Sequence, residues 1–419
     1  MTPSAVMLSD RFYINESLVK GKRIILRVDF NISINNNKVQ SDFRIKRVLP
    51  TIQKLSSAGA KVILISHIDP KEGGTLEPVA RYLVEYFPRL FFVSNIFDDN
   101  LGAKVLSMND GDVILFENLR NWEGEKSNDL EFSKHLASFG DMYVNEAFSV
   151  SHRSHASIVG ITEFIPSFFG FAFREEIVHL KEVFHPHKPF LVVMGGAKFD
   201  TKVPLVSKFL DIADLVLVGG AIANDFFKAK GLFVGDSLVS EKEPEGLHKL
   251  LESNKLILPL DVYTSYKGEK VLKNPKEVGV GERILDVGSK TVKMLKIAVK
   301  ESNFVLWNGP LGKTESGFGG STEEFAKILA SSGVMSIVGG GDVVASIEKL
   351  GLMDKFTFVS SGGGAMLEFL SDETLVGIEA VIISKRKSTI SNIKEAVLGI
   401  TEDKIVSKKT FFQRIGEMF

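Results

Sequence analysis

The chain contains no cysteine. Disulfides and thiolate metal sites are excluded with it, and the absence fits a reducing compartment. An excess of charge of one sign is missing too. The 51 basic residues face 52 acidic ones, a net charge of −1, so bulk electrostatics give no reason to expect nucleic-acid or membrane binding. Any anion must be recognised locally. No apolar run reaches the roughly 20 residues that a membrane helix needs. The opening MTPSAVMLSDRF lacks a basic start followed by an apolar core, so no signal peptide is expected and the reading is cytoplasmic. Low-complexity sequence and short tandem repeats are absent, and no G-x-G-x-x-G follows an apolar run, which argues against a dinucleotide dehydrogenase.

What is present is an ordinary globular composition, 44% hydrophobic and 25% charged over 419 residues, more than one core usually serves. Two domains are expected. Short β-branched runs alternate with amphipathic stretches: RIILRVD (23–29), KVILIS (61–66), DVILFE (112–117) and DMYV (141–144), with helical spacing at 43–57, 76–86 and 129–139. The second half repeats the scheme with FLVVM (190–194), DLVLV (214–218), KLILP (255–259), FVLW (304–307), SIV (336–338) and FTFV (356–359). Apolar strands alternating with helices predict an α/β protein with two doubly wound parallel-sheet, Rossmann-like domains. The boundary is expected in EFIPSFFGFAFREEI (163–177), where a proline and a glycine precede a helix start.

Ligands of open parallel sheets bind beyond the carboxyl ends of the strands. In the first half those ends run into Asp29 and Asn31, His67, Asn118 and Arg120, and Asn145. In the second they run into Gly195–Gly196, Gly219–Gly220, Gly339–Gly341 and Gly362–Gly364. Glycines at four strand ends point to a phosphate or nucleotide cradle, since backbone N–H groups at helix N-termini favour anions. In IVGGGDVVASIEK (337–349), Asp342 reads as a helix N-cap that could also hold a magnesium near nucleotide phosphates. WNGPLGKTE (307–315) imitates a Walker A fragment, but only two residues separate Gly309 from Gly312 where that motif has four. VNEAFSVSHRSHAS (144–157) offers Arg153 as a bidentate clamp, and Arg44 and Arg120 stand near other strand ends. Three converging arginines suit a small, doubly anionic substrate. In VVMGGAKFDTKVP (192–204), Lys198 and Lys202 open a helix, where cations oppose the macrodipole and call for an anion.

Taken in order, RVDFN (27–31), SDFRIKRVLPTI (41–52), ENLR (117–120), VNEAF–HRSHAS, GGAKFDTK (195–202), WNGPLG, GGGD (339–342) and SSGGGA (360–365) resemble the phosphoglycerate kinase family, from about residue 8 to about residue 384. The resemblance implies reversible phosphoryl transfer between ATP and 3-phosphoglycerate, giving ADP and 1,3-bisphosphoglycerate, with Mg²⁺. It implies an acid-substrate domain (1–165) that uses Asp29, Asn31, Arg44, His67, Arg120 and Arg153. A hinge helix (166–180) follows, then a nucleotide domain (181–370), and a segment (371–419) returning toward the first domain. Gly195, Gly219, Gly220, Asn308 and Glu315 would lie near adenine and ribose. Lys198, Lys202 and Asp342 would meet the phosphates and metal, with Gly340, Gly341, Val343, Gly363 and Gly364 giving close backbone approach. Arg44, Lys198 and Lys202 would act on the migrating group. A monomer is expected. Four features depart from the family pattern. SHIDPKEGG (66–74) replaces SHLGRP, losing an arginine. Ser33 stands for a proline and Val343 for a threonine, and the chain runs on beyond about residue 385. These departures keep open an alternative, a catalytically weakened nucleotide-binding or regulatory paralogue.

Overall fold

The computed structural model describes residues 9–69, 71, 74–197 and 199–385, without the side chains of residues 200, 201 and 315. Its described residues divide into two compact units, one holding 9–147, 153–173 and 376–385, the other 148–152 and 174–375.

The first unit is built on six parallel strands. Across the sheet they run Phe91–Val93, Val113–Phe116, Lys61–Ile65, Arg23–Arg27, Met142–Asn145 and Ser167–Phe169. Strand residues alternate between two cores because side chains alternate across a sheet. Ile24 and Leu26 pack with Ile45, Val48, Ile52 and Leu55 of helix Phe43–Ser57, while Ile25 packs on the other face with Phe116, Leu136 and Tyr143. That helix forms because its apolar residues recur every three or four positions, and it stops at Gly59, whose φ of +84° ends the helix at little steric cost.

The second unit repeats the plan. Its six parallel strands run Leu256–Ile257, Leu215–Val218, Phe190–Met194, Phe304–Asn308, Met335–Gly339 and Phe358–Val359. The two central strands are buried along their whole length. The predicted strand at 255–259 shrinks to two residues, and 356–359 likewise. An antiparallel sheet, absent from the sequence reading, joins Glu269–Lys273, Val262–Tyr266 and Arg283–Val287. Its hairpin turns at Lys267–Gly268, both with positive φ, the geometry that two-residue hairpins prefer. A similar turn at Asn36–Asn37 closes the small hairpin Ile34–Asn35 with Lys38–Val39. No helix among the described residues is long and apolar enough to cross a membrane.

Close packing in the first unit makes one glycine critical. A Cβ on Gly140 would lie 2.5 Å from Ile25 Cγ1 and 2.8 Å from its Cδ1. Gly140→Ala is therefore expected to cost about 1–3 kcal/mol through overpacking. Combining it with Ile25→Ala should cost less than the sum of the two single changes. Urea midpoints of the three variants check the expectation, and additive losses would mean that the site relaxes elsewhere.

Candidate active site

In the first unit the loops at the carboxyl ends of the strands are tied together by polar side chains. Asp29 Oδ1 accepts from Asn31 N at 2.9 Å, and its Oδ2 accepts from Arg44 Nη1 at 2.6 Å. Arg44 stands in the first turn of helix Phe43–Ser57, so a buried carboxylate holds a cation where the helix dipole alone would disfavour it. Asn31 Oδ1 accepts from Asp69 N at 2.8 Å, joining two strand-end loops. Asn118, buried, spends its amide on the loop beyond His67: it accepts from Ile68 N and Arg120 N and donates to Ile68 O and Gly74 O. It holds the site in place, as does Ser66, which accepts from Phe30 N and donates to Val28 O.

His67 is buried, and its pKa lies well below the usual histidine value. Burial is the main cause, Arg27 the next, with Arg120 and Arg153 adding to it and Asp29 opposing. Arg120 feels burial first, then Arg153 and Arg27, which all lower its pKa, while Asp69 and Glu125 raise it. Its Nε is buried with no hydrogen-bond partner among the described residues. Asp29, Asn31, Arg44, His67, Arg120 and Arg153 thus share one basic neighbourhood, into which the carboxylates of Asp69 and Glu125 intrude. Sequence reasoning missed Arg27, Glu125 and Ser157. Arg27 lies within RVDFN, and a cation at the inner end of the apolar run Ile24–Leu26 is the available signal.

In the second unit the strand-end glycines divide into two kinds. The first kind interlocks three loops. Gly195 N donates to Asn308 O and Gly196 N to Pro310 O, both at 2.8 Å, Gly219 N donates to Met194 O, and Gly220 N donates to Leu311 O. A Cβ on Gly220 would meet Gly196 N at 2.5 Å, and one on Gly309 would meet Lys202 Nζ at 2.5 Å. These loops approach only because side chains are absent there. The second kind opens helices. Gly340 (φ +101°) precedes helix Gly341–Lys349 and Gly363 (φ +52°) precedes helix Gly364–Asp372, and a Cβ on Gly341 or Gly363 would meet nothing within 4 Å. These N-termini have room for an anion.

Lys202 is buried in the first turn of helix Phe199–Ile212, and its ammonium donates to Gly195 O. Lys198 lies outside the described residues, as does the side chain of Glu315. Asp342 does not cap its helix: Gly340 is the N-cap, and Asp342 stands exposed in the first turn, where its charge favours the helix dipole. Val343 is buried. Asn308 is buried, with Nδ2 3.6 Å from Met366 Sδ. Beside the interlocked loops is a cavity of about 460 Å³, lined by Gly196, Gly220, Leu238, Pro310, Gly312, Lys313, Asp286 and Asp342 among others. The volume is that of a small-molecule site. Burial raises Asp286 to about 7, against hydrogen bonds from Ser321 N and Val287 N and the charge of Lys270.

Comparison with known proteins agrees on both sequence and structure. A family model described as phosphoglycerate kinase matches residues 14–373. A phosphoglycerate kinase of Fervidobacterium nodosum is 37% identical over 399 residues, which cover 90% of this chain and 100% of the relative. A crystal structure of phosphoglycerate kinase from Pyrococcus horikoshii OT3 superposes with a TM-score of 0.79 at 32% identity, over 90% of this chain and 100% of that one. The structure of phosphoglycerate kinase from Coxiella burnetii gives a TM-score of 0.73 at 35% identity, over 87% and 97% of the two chains. The regulatory reading gains no support from these relatives. Two parallel-sheet units, a basic site in one, a glycine-built cavity in the other and matches along most of the length lead to one conclusion: the chain belongs to the phosphoglycerate kinase family and is a phosphotransferase.

Proposed function

We propose that the chain seats 3-phosphoglycerate on the basic site of its first unit and Mg-nucleotide at the glycine-built cavity of its second. The observation that carries this reading is the Asp29–Arg44 pair beside His67, Arg120 and Arg153, a cluster of fixed donors suited to a doubly charged acid. Arg44, held by Asp29, meets the acceptor carboxylate. That carboxylate is already ionised at neutral pH, so no general base is needed, and catalysis comes from positioning and charge stabilisation. Lys202 stands by the interlocked loops, and Lys198 accompanies the migrating group. Asp342, exposed at a helix start and lining the cavity, fits a magnesium ion, which commonly takes one or two carboxylates and otherwise phosphate oxygens and water. When bound, that ion would offset charge on the phosphates. The open N-termini at Gly340–Gly341 and Gly363–Gly364 supply N–H groups to the same anions, and the backbone of Val343 joins them. Gly195, Gly219, Gly220, Asn308 and Glu315 belong to the adenosine side. Turnover requires the two reactants to meet, and the segment 166–180 is assigned the bending. A cytoplasmic monomer working in glycolysis completes the reading. A coupled assay with ATP and 3-phosphoglycerate tests it directly, and absence of turnover would return the regulatory alternative.

The roles separate by kinetics. Lys198→Ala should lower kcat by about 10²–10³-fold, as loss of one electrostatic stabiliser does elsewhere. It should leave nucleotide affinity largely intact, and near wild-type turnover would remove Lys198 from the mechanism. Asp69→Arg removes one intruding carboxylate and restores a cation. KM for 3-phosphoglycerate should then fall by an amount equivalent to about 1.5–3 kcal/mol, with KM for ATP nearly unchanged. An unaltered KM would assign the missing contact to Lys71 or another group. Small-angle scattering should show its largest drop in radius of gyration with both ligands present; equal compactness without ligand would refute the bending role.

A further inference from the structure

We propose that Arg27 is a positioning residue of the acid site, holding His67 as a neutral imidazole with its proton on Nε2. The inference rests on the reading of His67 as a contact for the acid substrate. Arg27 ends strand Arg23–Arg27 and is fully buried. Its guanidinium faces three groups. Nε donates to Ser157 Oγ at 2.8 Å, Nη1 donates to Val28 O at 2.5 Å, and Nη2 lies 3.1 Å from His67 Nδ1. A guanidinium can only donate. His67 Nδ1 must therefore accept and cannot carry a proton while the contact lasts. A neutral ring with a bare Nδ1 bears its proton on Nε2. An imidazolium would put two N–H groups face to face.

The arginine is itself held in place. Ser157 Oγ accepts from Arg27 and donates to Glu125 Oε1 at 2.6 Å, while Ser157 N donates to Glu125 Oε2 at 3.0 Å. Glu125 is as fully buried as Arg27, so opposite charges are matched across one hydroxyl. The charged groups acting on His67 are Arg27, Arg120 and Arg153, which disfavour the imidazolium, and Asp29, which favours it. Three cations against one carboxylate, together with burial, lower the pKa of the ring. The consequence for binding is one of sign. With Nε2 protonated, the ring offers a donor to an anion at every neutral pH. In the other tautomer Nε2 would be an acceptor and would repel the same anion.

The test begins with the unaltered protein labelled with ¹⁵N-histidine, whose ring correlations report the tautomer. The His67 signals are assigned by their loss in His67→Gln. The expected result is a neutral ring with Nε2–H from pH 6 to 8. A proton on Nδ1, or a titration inside that range, would overturn the proposal. Arg27→Met, paired with Glu125→Gln so that no buried charge is left alone, should move the His67 titration up toward the ordinary value. The ratio of variant to unaltered KM for 3-phosphoglycerate, in which the substrate's own ionisation cancels, should then rise severalfold from pH 6 to 8. It should stay flat when His67→Gln is added. An unchanged ring spectrum in the variant, or a KM ratio shifted equally at every pH, would reduce Arg27 to a structural residue and refute the assignment. Lack of turnover by the unaltered protein would defeat the substrate reading alone, since the ring spectra stand without it.

Discussion

A buried arginine needs acceptors for its N–H groups, and the first unit is arranged around meeting that need for Arg27. The requirement reaches several elements at once. Val28 supplies a carbonyl from the residue after the strand, His67 supplies a ring nitrogen from the end of the neighbouring strand, and Ser157 supplies a hydroxyl from the loop beyond Arg153. Glu125, from helix Glu123–Ser127, closes the network and balances its charge. Removing any one partner would leave a buried donor or charge unpaired, which costs far more than a surface contact gains. The strand ends that carry Asp29, His67 and Arg120 are thus held together by a polar network, in addition to the apolar sheet beneath them.

The second unit solves its positioning problem without charge. Its cavity depends on how closely three loops can approach, and that is decided by what Gly195, Gly220 and Gly309 lack. Their N–H groups donate to the carbonyls of Asn308, Leu311 and Gly339 at neighbouring strand ends, so they act as a scaffold. Space remains at the helix starts, where a Cβ on Gly341 or Gly363 would meet nothing within 4 Å. A buried Lys202 donates to the Gly195 carbonyl and so belongs with the scaffold.

Much of this was legible in the sequence, for identifiable reasons. Strands buried on both faces, such as Phe190–Met194, announce themselves as unbroken apolar runs, and their ends point to the loops where candidate residues gather. The antiparallel sheet at 262–287 was not legible. VYTSYKGEKVLK mixes lysines with short alternation, and its strands are partly exposed, so no apolar run marks them. The clue was local, a Lys-Gly pair at the turn, and Asn36–Asn37 gave a similar one. Asp342 suits an N-cap by residue type, yet the chain turns two residues earlier, because Gly340 adopts a φ that aspartate would resist. Arg27 was hidden for a different reason. Its motif was seen, but partners 130 residues away at Ser157 and 40 away at His67 cannot be inferred from spacing.

The two units meet the same chemical demand by different means, and the demand explains why. Transfer to an ionised carboxylate asks the protein to hold anions and to stabilise charge, and asks it for no proton. A site for such a reaction is best built from groups whose charge does not change with conditions. Arginines meet that requirement by their high pKa. Backbone N–H groups meet it by having none to shift. Histidine approaches that condition when its pKa is displaced from neutrality, and in the first unit burial and neighbouring guanidinium groups lower the pKa of His67. The carboxylate of Asp29 fits the same logic, since it orients Arg44 at 2.6 Å and offsets part of the positive charge before any ligand arrives. Asp69 is tied down through the backbone instead: its N–H donates to Asn31 Oδ1 and its Oδ1 accepts from Lys71 N. The carboxylate of Asp69 thus offsets part of the positive charge near Arg120, as Asp29 does beside Arg44.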